Sequence, residues 1–285
     1  MGLPRGLIWI TGASSGIGFA AAELLAKRGW RIAASSRNKE RLAELAKRSK
    51  LIHPYPLDVA NAIERKEVFK KIRSDLGPID ILVNNAGFGL RGAIEEMEAD
   101  QTRLLFDVNV FAPLALTRLV LPEMRARREG RIIMVSSLVG RVAFPLSGVY
   151  SATKFALEGL SDSLRMEVAP WGIKVVIIEP GPIATRFGAT AKEQSYQRIT
   201  SPDSPYIEYY KRLIREGVIK RRYFWGARPV AQAIRDICEN PKPKARYPVH
   251  PFARWLPILA NLLPESVIDK LLSKPLGLDK PVRFM

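Results

Sequence analysis

The sequence predicts an α/β fold, a doubly wound and mainly parallel sheet with helices on both faces. Three observations carry that reading. Short uninterrupted apolar runs recur along the chain, as strands covered on both faces require. Stretches of helical apolar spacing alternate with them at the pitch of βαβ units. A glycine-rich turn directly follows the first run and opens the first helix. In order, strands are expected at Leu7–Ile10, Ile32–Ser35, Ile79–Val83, Arg131–Val135 and Lys174–Ile178, with a further one before Leu57 and a last one near Val249. That makes a sheet of about seven strands. Helices are expected at Ile17–Arg28, Lys39–Arg48, Ala62–Leu76, Gln101–Arg128 and Tyr150–Val168. No repeat, low-complexity tract or Gly/Ser linker divides the 285 residues, so a single domain over 1–285 is expected.

Composition narrows the class. Apolar residues make up 47% and charged residues 26%, which excludes wholesale disorder and collagen. One cysteine, Cys238, cannot form an internal disulfide and points to a reducing compartment. With two histidines beside it, the soft ligands are too few for a Cys/His zinc site, and no metal is expected. No export signal or long uncharged apolar span is visible, so the expected location is cytoplasmic, with peripheral membrane contact open. The outlier is a net charge of +17, which admits nucleic acid, an anionic membrane or anionic small molecules as partners.

The first strand runs into Thr11-Gly12-Ala13-Ser14-Ser15-Gly16-Ile17-Gly18. Gly12 permits the tight turn, Gly16 lets the backbone approach a pyrophosphate, and Gly18 allows close packing of helix on strand. The helix N-terminus then offers N–H groups and a partial positive charge to phosphates. At the end of the second strand no acid is present to take a ribose 2′-hydroxyl. Ser36 and Arg37 stand there instead, a hydroxyl and a guanidinium suited to a 2′-phosphate.

The TGxxxGxG spacing resembles the short-chain dehydrogenase/reductase family, and the resemblance extends over about residues 5 to 250 through Asn84-Asn85-Ala86-Gly87, Tyr150-Ser151-Ala152-Thr153-Lys154 and Glu179-Pro180-Gly181. It implies a Rossmann-type fold binding NADP(H), with Ser14, Ser15, Ile17, Asp58, Val59, Asn85, Ala86, Gly87, Pro180, Gly181, Ile183 and Thr185 on the cofactor. Asp58 would meet the adenine amino group. Ile183 and Thr185 would hold the carboxamide and expose the pro-S hydride. It also implies a catalytic tetrad of Asn109, Ser137, Tyr150 and Lys154.

The residue types suit the chemistry. Tyr150 and Lys154, four apart, share one face of a helix. Hydride transfer at a carbonyl carbon needs a proton at its oxygen. A phenol of pKa about 10 is a poor base near neutrality unless a cation such as Lys154 lowers it. Ser137 can donate a hydrogen bond to the developing alkoxide. Lys154 would also reach the nicotinamide ribose, and Asn109 would hold a water for proton relay.

The resemblance implies that substrate choice lies in the segment 186–228, rich in Phe187, Tyr196, Tyr206, Tyr209, Tyr210, Tyr223, Phe224 and Trp225. These either line an apolar pocket or pack a lid on the core. Leu138, Val139, Val142, Phe144, Leu146, Phe88 and Leu90 could supply another wall. The passage from Pro241 to Val249 is similar to the branch of the family acting on steroids, retinoids and other lipophilic alcohols. In the C-terminal extension, 250–285, apolar residues from Phe252 to Leu272, interrupted by Pro257 and Pro264, read as two short amphipathic helices. They serve as a membrane anchor or lid, or pack on the body or a dimer partner. His53 and His250 read as surface or turn residues, and Cys238 as a small buried one.

The expected function is NADP-dependent interconversion of a lipophilic alcohol and its carbonyl compound. The alternative is a cofactor-binding regulator or scaffold of the same fold, against which the complete tetrad argues. The resemblance implies a homodimer or homotetramer built on the two long helices. No nucleic-acid partner is expected, since the basic residues are scattered and no such motif is present. From Arg186 onward, 19 Lys and Arg face 9 Asp and Glu, so the charge excess is concentrated beyond the nucleotide-binding part.

Overall fold

The structure, a computed structural model, describes residues 5–184, 203–215, 219 and 221–279. In chain order the elements that frame the site are β1 (Arg5–Thr11), α1 (Gly16–Lys27), β2 (Trp30–Ser36), α2 (Lys39–Ala46), β3 (Ile52–Pro56), α3 (Ala62–Leu76) and β4 (Ile81–Asn84). Then come α4 (Ala99–Phe106), a π turn (Asp107–Phe111), α5 (Ala112–Arg127), β5 (Arg131–Val135), α6 (Gly148–Val168) and β6 (Lys174–Glu179). The remainder holds α7 (Ile207–Arg215), α8 (Arg228–Glu239), β7 (Arg246–Pro248), α9 (Pro251–Leu262) and α10 (Glu265–Ser273).

The strands form one seven-stranded parallel sheet in the order β3-β2-β1-β4-β5-β6-β7. Successive side chains on a strand point to opposite faces, and the two core layers follow that alternation. Ile8, Ile10, Ile32 and Ala34 face α1, α2 and α8, meeting Ala21, Ala22, Leu25, Leu42, Leu45, Ile234 and Cys238. Leu7, Trp9, Ala33 and Leu82 face α3, α5 and α6, meeting Ile72, Leu116, Val120, Met124 and Leu157. The helix starts are locally encoded. Asn38 accepts a hydrogen bond from Arg41 N–H at 2.8 Å, and Asn61 accepts from Ile63 N–H at 2.9 Å, each satisfying a donor at a helix N-terminus.

β1 and β4 are neighbours although the chain leaves them in opposite directions across the sheet. The loops at their C-terminal ends therefore diverge and leave a crevice, the place where open α/β sheets bind ligands.

Three expectations change. The single helix expected over Gln101–Arg128 begins at Ala99 and is broken by the π turn, which contains Asn109. The Ala99–Arg127 segment is long and apolar enough to cross a membrane by composition, but half of its apolar window is buried inside the fold. Pro257 does not interrupt the C-terminal helices. It lies buried inside α9, and the chain breaks at Leu263-Pro264. His53 is on strand β3 and His250 is buried at 5% exposure, so neither is a plain surface or turn residue. Cys238 is buried, as expected.

Candidate active site

The crevice is lined first by the glycine loop. Gly12 and Gly16 have φ of +67° and +55°, the left-handed region that a side chain disfavours. At Gly18 a Cβ would fall 2.4 Å from the Gly12 carbonyl oxygen and 2.6 Å from Asn85 Nδ2. Helix α1 and the loop can approach this closely only without that carbon. Gly18→Ala is accordingly expected to cost about 1–3 kcal/mol in stability and most of the nucleotide affinity, measured by thermal unfolding and NADPH fluorescence titration. No side chain caps the start of α1; Ser15 is extended there and its hydroxyl does not turn back. The first N–H groups of α1 thus remain directed at the crevice beside Ser14 and Ile17.

The loop is held from β4. Asn85 Nδ2 donates to the carbonyls of Thr11, at 2.9 Å, and Gly12, at 3.2 Å. The Asn85 and Ala86 N–H groups donate to Thr11 Oγ1 at 3.1 and 3.0 Å. Thr11 therefore ties the two loops together, a role its place in the glycine motif could have signalled. Ser36 closes β2 in a buried position, and Arg37 follows it exposed. Asp58 Oδ1 accepts from Ala60 N–H at 3.0 Å and shapes the turn after β3, with Val59 buried beside it.

The tetrad residues converge at the ends of β4 and β5. Asn109 is pinned inside the π turn. Its Oδ1 accepts from Phe88 N–H at 3.1 Å, and its Nδ2 donates to Phe88 O at 2.9 Å and to Thr153 Oγ1 at 3.1 Å. Lys154 Nζ donates to Val135 O at 2.9 Å. A Cβ on Gly87 would lie 3.0 Å from Asn109 Oδ1 and 3.8 Å from Lys154 Nζ, so a glycine here leaves the two polar groups close to open space. Ser137, two residues past β5, accepts from Val139 N–H at 3.3 Å and hydrogen-bonds Tyr150.

Burial dominates the electrostatics. It pushes the Tyr150 phenol above its ordinary range, against the Ser137 hydrogen bond and the charge of Arg91. It lowers Lys154 to about 8, against the opposing pull of Glu158 one turn further along α6. Arg91, in the segment after Gly87, is a second cation whose charge bears on the phenol and would lower it, besides the Lys154 expected from the motif. Arg91 is itself desolvated, and no motif marks it.

Glu158 is a buried carboxyl held above its ordinary range, first by burial. Arg246 of β7 pairs with it at 3.1 Å and with Glu179 at 3.2 Å and Asp162 at 2.5 Å, so the outermost strand anchors the acids behind Lys154.

Beyond β6, Pro180, Gly181 and Ile183 form a loop clamped from two sides. Ile183 pairs with Trp225, and a Cβ on Gly181 would fall 2.4 Å from His250 Cβ. His250 Nδ1 accepts from Phe252 N–H at 3.1 Å, which leaves Nε2 as the protonated nitrogen that donates to Tyr223 O at 3.0 Å. Thr185, Phe187 and Tyr196 lie outside the described residues. Of the other aromatic residues, Tyr206 and Tyr210 hold α7 in place: Tyr206 donates to Glu95, while Tyr210 donates to Glu96 and accepts from Ala93 N–H at 2.8 Å. Leu138, Val142 and Phe144, directly after Ser137, pack under Ala253 of α9 and Ile268 and Leu272 of α10.

The residues present fit a phosphate-bearing dinucleotide: left-handed glycines, an uncapped helix start, and a hydroxyl and guanidinium at the end of β2. Residues 7–195 match the family model described as short chain dehydrogenase. The chain is 36% identical over 274 residues to the uncharacterized oxidoreductase YusZ of Bacillus subtilis, covering 94% of this chain and 97% of that one. It is 31% identical to the NADPH-dependent 3-dehydrocapnine reductase of Ornithobacterium rhinotracheale, covering 94% and 96% of the two chains. Among solved structures it is similar to a short-chain dehydrogenase from Streptomyces avermitilis, with a TM-score of 0.78, 32% identity and coverage of 95% and 96%.

Proposed function

The chain belongs to the short-chain dehydrogenase family, and from that premise we propose that this oxidoreductase uses NADP(H) to interconvert a lipophilic alcohol and its carbonyl compound. The observation that carries the reading is the convergence of Ser137, Tyr150, Lys154 and Asn109 beside a glycine loop shaped for a pyrophosphate.

The nicotinamide cofactor, when bound, supplies or accepts the hydride at the carbonyl carbon. The protein's own residues manage the oxygen and its proton. In reduction, Tyr150 donates its phenolic proton to the carbonyl oxygen, and Ser137 steadies that oxygen with a hydrogen bond as negative charge develops. Tyr150 then regains a proton by way of Lys154, whose ammonium near pH 8 can exchange protons under ordinary conditions. Asn109, fixed on both sides by Phe88, orients the relay at Lys154. Ile183, clamped by Trp225, is placed to meet the carboxamide edge.

Ser36 and Arg37 support NADP(H) over NAD(H). Arg37→Ala is expected to raise KM for NADPH by about 10- to 100-fold while changing KM for NADH little, since a charge-assisted contact to phosphate is worth about 1.5–3 kcal/mol. Equal effects on both cofactors would refute the assignment. The buried apolar residues after Ser137 support a lipophilic substrate. A panel of ketosteroids, retinal, aliphatic ketones and sugars, assayed with NADPH and NADH, tests this; turnover confined to sugars would defeat it. Exposed Phe111, Phe155 and Met166 around α5 and α6 support assembly of copies through those helices.

A further inference from the structure

Helices α9 and α10 rest on one apolar platform and show another apolar surface to solvent. The platform is Leu138, Val142 and Phe144, which receive Ala253, Ile268 and Leu272. The outward surface consists of Trp255, Ile258, Leu259, Leu262, Leu263, Val267 and Leu271, all exposed, with Trp255 at 59% and Leu262 at 75%. Exposed apolar side chains scattered singly need no explanation, but seven from one helical pair form a patch that does.

The pattern is directional. At about 100° per residue, Trp255, Ile258, Leu259 and Leu262 fall within an arc of about 100° on α9, opposite buried Ala253 and Pro257. On α10, Val267, Lys270 and Leu271 occupy a similar arc, and Lys274 follows them at the C-cap with helical backbone angles. The acids of α10, Glu265 and Asp269, lie on the other side of that helix. Arg254 borders the α9 stripe, and α9 carries no acid. So the solvent-facing surface is apolar with Arg254, Lys270 and Lys274 on it, while negative charge is kept off it. This segregation is the signature of a helix lying in the plane of an anionic lipid surface.

Two further cations lie close by. Arg222 stacks on Tyr223, whose ring meets Phe252 of α9 edge-on at 5.6 Å. Arg212 packs against the turn at Gly277 that follows α10. A protein partner of mixed charge would draw no advantage from cations alone on this face, whereas an anionic leaflet would.

We propose that α9 and α10 dock this protein on an anionic membrane surface, their apolar residues entering the headgroup boundary and Arg254, Lys270 and Lys274 meeting lipid phosphates. The platform beneath is the segment that follows Ser137, so docking sets the site side of the molecule against the bilayer. The surface itself carries this inference, independently of the proposed reaction.

The test is co-sedimentation of the full chain with phosphatidylcholine vesicles, with and without phosphatidylglycerol, at low and high salt. The wild type should partition onto the anionic vesicles and be released by salt. Leu262→Glu with Leu271→Glu, and separately Lys270→Glu with Lys274→Glu, should each weaken partitioning at least about tenfold while melting temperatures stay at the wild-type value. Failure of the wild type to bind overturns the proposal, as does binding unaffected by both pairs. Loss with the leucine pair alone overturns the anionic preference. A wild-type dimer in light scattering that the leucine pair dissociates shows that a second copy covers this face, and overturns it too.

Discussion

Replacing Tyr150 with Phe is expected to lower kcat by about 10³-fold or more while NADPH binds with nearly its wild-type affinity. The substitution keeps the ring in its packed position and removes only the hydroxyl that hydrogen-bonds Ser137. The loss therefore falls on proton transfer at the carbonyl oxygen and spares the pyrophosphate loop, which is built from Gly12 to Gly18 and braced by Asn85. Stopped-flow mixing of enzyme and NADPH with a ketone substrate measures the chemical step, and fluorescence quenching measures the cofactor. A variant that still turns over within tenfold of wild type would remove Tyr150 from the mechanism. A variant that loses cofactor affinity in proportion would make its role one of binding.

Lys154→Met is expected to trade activity for stability. In the folded protein the ammonium is buried and its pKa falls from 10.5 to about 8. Below pH 8 both folded and unfolded chains hold the proton, and the folded state bears the full cost of burying the charge. Between about 8 and 10.5 the unfolded chain binds a proton that the folded chain does not, so stability contributed by this group rises with pH across that window. Removing the charge relieves on the order of 3 kcal/mol at pH 7. Losing the donor to Val135 O returns about 1–2 kcal/mol of that. The net gain is about 1–2 kcal/mol, a rise in melting temperature of several degrees that shrinks as pH is raised toward 10. Activity falls by about 10²- to 10⁴-fold, because Tyr150 loses its proton partner. Thermal unfolding of wild type and variant between pH 6 and 10 reads the first effect, and kcat reads the second. A variant less stable than wild type at pH 7 would show that the buried ammonium is a net structural asset.

The sheet and its helices were legible because covered strands must be continuously apolar and helices must repeat their apolar face. Prolines at positions 54 and 56 do not disturb β3 because it is the edge strand of the sheet. The order of the glycine loop, Asn85 and Ser137 along the chain placed each just past a strand, and the four-residue spacing of Tyr150 and Lys154 placed both on one face of a helix. What escaped was set by tertiary contact. The π turn leaves no local sequence pattern; it is fixed by the bonds of Asn109 to Phe88 and Thr153. His250 sits between prolines, as a surface residue often does, yet Trp225 and Phe252 enclose it. Arg91 matches no motif, and only folding brings its charge to bear on Tyr150. Pro257 reads as a helix breaker until its buried place inside α9 is seen.

The π turn at Asp107–Phe111 also fixes how the chain can vary. It holds the surplus residue that sets α4 and α5 out of simple helical phase. Deleting one residue there would restore an unbroken hydrogen-bond ladder, but it would rotate everything beyond it by about 100° relative to α4. Leu116, Val120 and Met124 would then turn away from the sheet, or Asn109 away from Phe88. The locally imperfect helix is thus the globally consistent one: length in this segment is constrained to the single residue.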